Sequence, residues 1–411
     1  MFLFLFSVFA FKIPNLYILP FLKNPFLTTQ SLARILAVTI FSYHIIIFFL
    51  NKRKMIINKK RLLTISLATL FFVFQSASVI SALNINAFIT RYKDVFISFL
   101  FLYIAYIYRE RNKEITIIFF FGVFINAIYQ AVLFFYTNLF NNSFAYFIYE
   151  KHLRFVIANV MRGRIYSDIY DEITIPLIFI FLILYKSKRW ITILLLLILS
   201  AVAFFSFISN FRSRILMFLL AFISSFLIMR VTSHFRRSTL LLLVFFAAFF
   251  ANVLVTPLIG FSYIDRFFSQ QSIEQNQKNF DSRISQFATS IQLGFNSPFG
   301  IGLGNFYDYV KHNSNSSFLN PYDRDIQVGA EEYVHNIFGS IIAESGYFSL
   351  IIFLILLVVF IWSDIAKIKK GDIWEKGFVI AFWSLFSYGL FNPTVPASYQ
   401  VMFWTLRGFI L

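Results

Sequence analysis

Residues 331–349 read EEYVHNIFGSIIAESGYFS. His335 stands where the chain's longest polar segment meets an unbroken apolar stretch, with Glu331 one helical turn before it. A histidine so placed is either an ordinary helix-boundary residue or a base whose ring a nearby carboxylate orients. Each of the other four histidines lacks part of that setting. His44 falls inside an apolar window, His234 in a basic loop, and His152 and His312 in polar loops without the helix start.

Arginines form the second reactive set. In FISNFRSRILMFLL, Arg214 leads directly into apolar sequence, where its charge demands an anion or a carboxylate. Arg212 beside it suits snorkelling to headgroups. In DSRISQFATSIQLGFNSPFGIGLGNF, Arg283, Phe287 and Ile291 share a helical face before Pro298 and Gly300, Gly302 and Gly304 break the helix. These glycines make either a tight turn or a close backbone approach to a ligand; without a βαβ unit they are no nucleotide loop. The stretch KHLRFVIANVMRGRIYSD carries Lys151, Arg154, Arg162 and Arg164 with apolar residues between, the pattern of an interfacial helix. It suits anionic headgroups or a substrate pyrophosphate. Asp323 and Asp325, in YDRD, sit among Asn and Ser and read as a solvated loop, so no metal site is expected.

The elements that must position these residues are apolar helices. Hydrophobic residues make up 59% of 411, charged residues 13%, and mean hydropathy is +0.74, more apolar surface than a soluble domain of this size can hide. Cysteine is absent, which excludes disulfides, thiolate nucleophiles and cysteine metal sites. Windows of bilayer length fall near 2–22, 31–50, 62–83, 91–108, 115–137, 172–185, 190–208, 214–229, 238–259, 336–362, 377–391 and 396–411. The first lacks a basic n-region and a cleavage site and reads as a retained span. The expected fold is an all-α polytopic membrane protein, 1–411 forming one integral domain of about 12 transmembrane helices.

Charge sets the orientation. The net charge of +17 is dispersed rather than gathered into a patch, which excludes a nucleic-acid partner. The loops 51–61, 109–114, 186–189, 230–237 and 363–376 hold 6, 3, 3, 3 and 4 Lys/Arg, 19 of 36 in all, and are assigned to the cytoplasm with both termini. Two long loops, 138–171 and 260–335, then face outward. Loops of that length are usually functional.

Arg283 with an aromatic residue four on, NSPFGIGLGNF, a variable loop, His335-Asn336 and AESGYFSLIIFL together resemble the family of O-antigen polymerases and O-antigen ligases. The resemblance covers 283–354, with weaker echoes at Ser213-Arg214 and in NPTVPASYQVMFWTLRG near the C-terminus. It implies a lipid-phosphosugar-dependent (GT-C-like) glycosyltransferase of the bacterial inner membrane, inverting, metal-independent and without cofactor, working on the periplasmic side. It further implies that Arg214, Arg283 and Arg164 hold the pyrophosphate of an undecaprenyl-pyrophosphate-linked oligosaccharide. His335 would engage the acceptor hydroxyl, with Glu331 as its orienting carboxylate. Membrane lipid and a chain-length regulator would be the remaining partners. The polymerase branch is the first reading and the ligase, whose acceptor is lipid A–core, the second. A lipid-linked oligosaccharide flippase is the reading from a different class, but a carrier should show paired repeats, and none is evident.

Overall fold

A computed structural model describes residues 29–50, 59–124, 171–185, 188–208, 212–229, 270–306, 308–309, 334–392, 394 and 397–411. Among these residues the chain is helical, without a β-strand. The helices are α1 (Thr29–Leu50), α2 (Lys59–Ala77), α3 (Ile85–Tyr108), α4 (112–124), α5 (Ile175–Leu184), α6 (Arg189–Ile208), α7 (Arg212–Ile228), α8 (Gln270–Asn296), α9 (Ile337–Lys370), α10 (Ile373–Gly389) and α11 (Ala397–Ile410). Each apolar window within the described residues coincides with a helix. The windows at 2–22 and 238–259, and 125–137 of the window at 115–137, lie outside them.

Two helical stretches, Arg61–Ser81 and Ile337–Lys370, are long and apolar enough to cross a membrane; Arg34–Ile47, Arg189–Phe204 and Ser213–Ile228 are shorter apolar helices. The outer face of α9 is itself apolar: Ile351, Leu354, Ile355, Val358 and Trp362 are exposed, Trp362 by 77%. In water such a stripe would drive aggregation, whereas hydrocarbon accepts it without cost. The opposite face of α9 is buried. Phe353 lies 5.3 Å from Phe71 of α2 and 6.3 Å from Phe403 of α11, ring centre to ring centre. Gly408 brings α11 against the backbone of α3 at Leu102, the close approach that small residues allow between helices.

One buried ion pair ties three helices at the basic end. Arg407 of α11 donates twice to Asp364 of α9, at 2.9 and 2.6 Å, and Asp364 also accepts Trp383 Nε1 of α10 at 2.8 Å. The guanidinium sits 3.8 and 3.6 Å from the ring centres of Phe360 and Phe382. This accounts for the arginine of the C-terminal TLRG: it is a structural charge, satisfied inside the bundle.

Two expectations change in detail. The basic stretch 363–376 is not a loop, because α9 runs on to Lys370 and ends in Lys367, Lys369 and Lys370, where cations meet the negative end of the helix dipole. A capping box, Asp372 with Glu375, then starts α10. The expected outward loop 260–335 also contains the 27-residue α8, followed by a tight turn. Its helical pattern was legible only from Arg283 onward, since the preceding QQSIEQNQKNF has few apolar residues.

That turn docks on a break in α9. Gly346 has φ +79°, a left-handed conformation inside the helix, so the regular hydrogen-bond ladder fails there. The turn supplies replacement donors: Ile301 N–H donates to Ala343 O at 2.9 Å and Gly302 N–H to Glu344 O at 3.0 Å. A Cβ on Gly300 would lie 2.6 Å from the Ser345 nitrogen, and one on Gly346 would overlap the Pro298 carbonyl. The NSPFGIGLGNF and AESG motifs are thus the two halves of one contact. Gly346→Ala should destabilise the protein by more than about 2 kcal/mol, from left-handed backbone strain plus that overlap. An unchanged thermal midpoint of the detergent-solubilised variant would contradict this.

Candidate active site

The docked turn fixes α8 against the first turns of α9, and the two helices run parallel there. His335 Nδ1 lies 3.3 Å from Gln286 Oε1. One turn on, a Cβ at Gly339 would lie 3.1 Å from Phe287 Cδ2 and 3.5 Å from Ser290 Oγ, and Gly294 lies against Ile342. The glycines at 339 and 294 let the helices close enough for an amide to reach the imidazole. With Nδ1–H donating to Gln286, Nε2 is the nitrogen that carries the lone pair. An amide orients the ring without the basicity gain that a carboxylate would add. Gln286 was not anticipated, although it lies three residues after Arg283 and hence on nearly the same face.

Asn336 explains the second residue of the His-Asn pair. Its Oδ1 accepts Phe338 N–H at 2.8 Å and Gly339 N–H at 3.1 Å, capping α9, while its Nδ2 donates to Leu390 O at 2.9 Å. His335 is therefore held at the positive end of α9, half-buried. Arg283 is exposed and lies on α8 one turn before Phe287, the residue level with Gly339. The register carries it past the start of α9. Imidazole, guanidinium and a helix N-terminus converge on one end of the bundle, an arrangement suited to an anion.

Arg214 stands elsewhere and in a different state. It is 1% exposed; its Nε donates to Glu172 Oε1 at 2.7 Å, and Nη2 lies 3.9 Å from Asp171 Oδ2. Ser206 Oγ donates to the same Glu172 oxygen at 2.7 Å. Two nitrogens of the guanidinium, Nη1 and Nη2, are buried without a hydrogen-bond partner among the described residues. The Nε atom is thus committed to Glu172, an ion pair held in a low dielectric. The intramembrane arginine did require a carboxylate, and Asp171-Glu172, at the edge of the apolar window before Pro176, supplies two. Arg164 and Glu331 lie outside the described residues, as do Asp323 and Asp325.

Glu344, 3% exposed, completes the site's support: its carboxylate is held by the Gly304 backbone amide and by the charge of Arg91 on α3. The tight-turn reading of the glycines is the one the geometry bears out. Their close approach is to the protein's own backbone at Glu344–Gly346, Ala82 and Ala87.

Residues 204–354 match a protein-family model described as O-antigen ligase. That interval holds Arg214, α8, the glycine turn, His335 and the Glu344–Gly346 break. No curated protein matches the chain.

The buried cluster makes a stability prediction. Arg214→Met should cost about 3–5 kcal/mol, because it strands the buried Glu172 and Asp171 side chains, and the double variant Arg214→Met/Glu172→Gln should cost clearly less than the sum of the two single changes. Thermal or denaturant unfolding of the solubilised proteins checks it; strict additivity would contradict the pairing.

Proposed function

Residues 204–354 belong to the O-antigen polymerase and ligase family, and from that premise we propose that the protein is a polymerase of O-antigen or a related surface polysaccharide. It transfers an undecaprenyl-pyrophosphate-linked glycan to the non-reducing end of another lipid-linked repeat unit, on the periplasmic face of the inner membrane. The observation that carries this reading is His335, oriented by Gln286 at the N-terminal end of α9 with Arg283 in register beside it.

The chemistry follows from those groups. The acceptor hydroxyl oxygen attacks the anomeric carbon and its proton passes to His335 Nε2. The bond from that carbon to the pyrophosphate oxygen breaks on the opposite face, inverting the configuration. Undecaprenyl pyrophosphate leaves as an anion, and Arg283 meets it with a planar fork that stays charged at every relevant pH. The N-terminal end of α9, capped by Asn336, adds a favourable dipole. Such contacts act on charge as it develops and each supply a few kcal/mol, on the order of 10²-fold in rate. Leaving-group stabilisation is thus assigned to arginine rather than to a metal ion. Arg164 and Arg214 are further pyrophosphate ligands in this reading, Arg214 through the Nη1 and Nη2 atoms that its carboxylate partner leaves unbonded. The five basic stretches support the cytoplasmic placement of the opposite end.

The ligase is the second reading, favoured by the description of the matching family model. The glycan pattern of a deletion strain separates the two. A single repeat still attached to lipid A–core indicates a polymerase; lipid-linked polymer with none attached to core indicates a ligase. Unprocessed units left on the cytoplasmic face would indicate a flippase and overturn both.

His335→Ala should abolish polymer at a near-normal membrane level, and His335→Gln should retain at most a trace, since an amide offers a lone pair but takes no proton. Arg283→Lys should lose most activity despite keeping its charge, because a point charge cannot replace the fork. Glycan analysis beside immunoblots checks all three; full polymer from His335→Ala would contradict the assignment.

A further inference from the structure

Between the ends of α2, α3, α9 and α11 lies a cavity of about 40 Å³, room for roughly three water molecules. Ile337, Ile341, Glu344 and Ser345 line it from α9, spaced as one helical stripe. Gly339 and Ile342 face α8 instead, so the cavity occupies the flank of α9 away from Gln286. It nonetheless lies at the same end of the bundle as His335, two residues from Ile337.

The lining is polar in a particular way. Its charged residues, Arg91 and Glu344, are of opposite sign and act on each other. A pyrophosphate or a free cation would meet no uncompensated charge there. The remaining polar groups are neutral amides and hydroxyls, from Gln75, Ser340, Ser345, Thr394, Tyr399 and Gln400. Two of them, Ser345 Oγ and Gln400 Oε1, are buried without a hydrogen-bond partner among the described residues. Ser345 is fully buried. Leaving a buried donor and acceptor unmet costs about 1–3 kcal/mol each, which the fold tolerates where a ligand meets them. Phe353, Phe403 and Trp404 form an apolar wall alongside.

We propose that this cavity is a subsite for the hydroxyl-bearing edge of a neutral sugar of the glycan substrate. Hydroxyls both donate and accept, matching an orphan hydroxyl and an orphan amide oxygen side by side. The volume admits a hydroxyl or hydroxymethyl group rather than a whole ring, so only that edge of the sugar enters. With His335 and this cavity on either flank of the first turns of α9, a glycan lying across that end engages both. The subsite anchors one sugar while another is at the reacting centre. The inference rests on the glycosyl-transfer reading for its ligand.

The test uses the full chain purified into nanodiscs. The probe is the free oligosaccharide repeat unit, released by mild acid from the host's lipid-linked pool and so lacking lipid and phosphate. Tryptophan fluorescence reports binding, because Trp404 lines the cavity. Wild type should bind saturably, Ser345→Val and Gln400→Leu should each weaken binding about tenfold, and Leu354→Ala, on the exposed apolar face of α9, should bind as wild type. Ser345→Ala, which removes only the hydroxyl, should weaken binding with an unchanged thermal midpoint. Wild-type affinity in all three cavity variants overturns the subsite, and so does absence of saturable binding to wild type, which leaves water as the occupant. Sugar binding that depends on Ser345, in a protein that forms no glycosidic bond, would instead overturn the polymerase reading and leave the subsite standing.

Discussion

A helix broken inside apolar surroundings must find new partners for its backbone, and α9 finds them in a glycine turn. Gly346 interrupts the ladder, and the amides of Ile301 and Gly302 replace the missing donors at Ala343 and Glu344. Each such carbonyl left unmet in hydrocarbon would cost several kcal/mol, so the turn cannot move away without destabilising the break. Everything at the candidate site hangs from this contact. The turn ends α8, α8 is thereby pinned to α9 through Gly294 and Gly339, and only at that closeness does Gln286 reach His335.

The arginines divide by environment. Arg214 and Arg407 are buried, each bound to a carboxylate at 2.7 Å or less, and each ion pair joins helices. For such pairs desolvation offsets much of the attraction, and their value lies in what is lost when one partner is removed. Arg283 is exposed at the end where α9 begins, in a position to meet a ligand anion.

Much of this organisation was legible in the chain itself. Apolar windows marked the helices because helical spacing is a local property, while Arg283, the glycine triplet and His335-Asn336 were joined into a candidate site by their resemblance to the O-antigen polymerase and ligase family. What was not legible depended on distant pairings. Asp171-Glu172 becomes the partner of Arg214 only through the packing of α5, α6 and α7. Gln286 is an unremarkable amide until Gly339 admits it to the imidazole. The first half of α8 is too polar for a periodic pattern, and the link between the glycine turn and Gly346 joins segments more than forty residues apart.

The central claim is that one end of α9 forms glycosidic bonds. Its most direct test is the purified chain in liposomes, supplied with its undecaprenyl-pyrophosphate-linked repeat unit in the presence of EDTA. The account predicts a ladder of lipid-linked glycan, with one undecaprenyl pyrophosphate released for each bond formed. Repeat units that only change leaflet, with no new glycosidic bond and no lipid released, would contradict it.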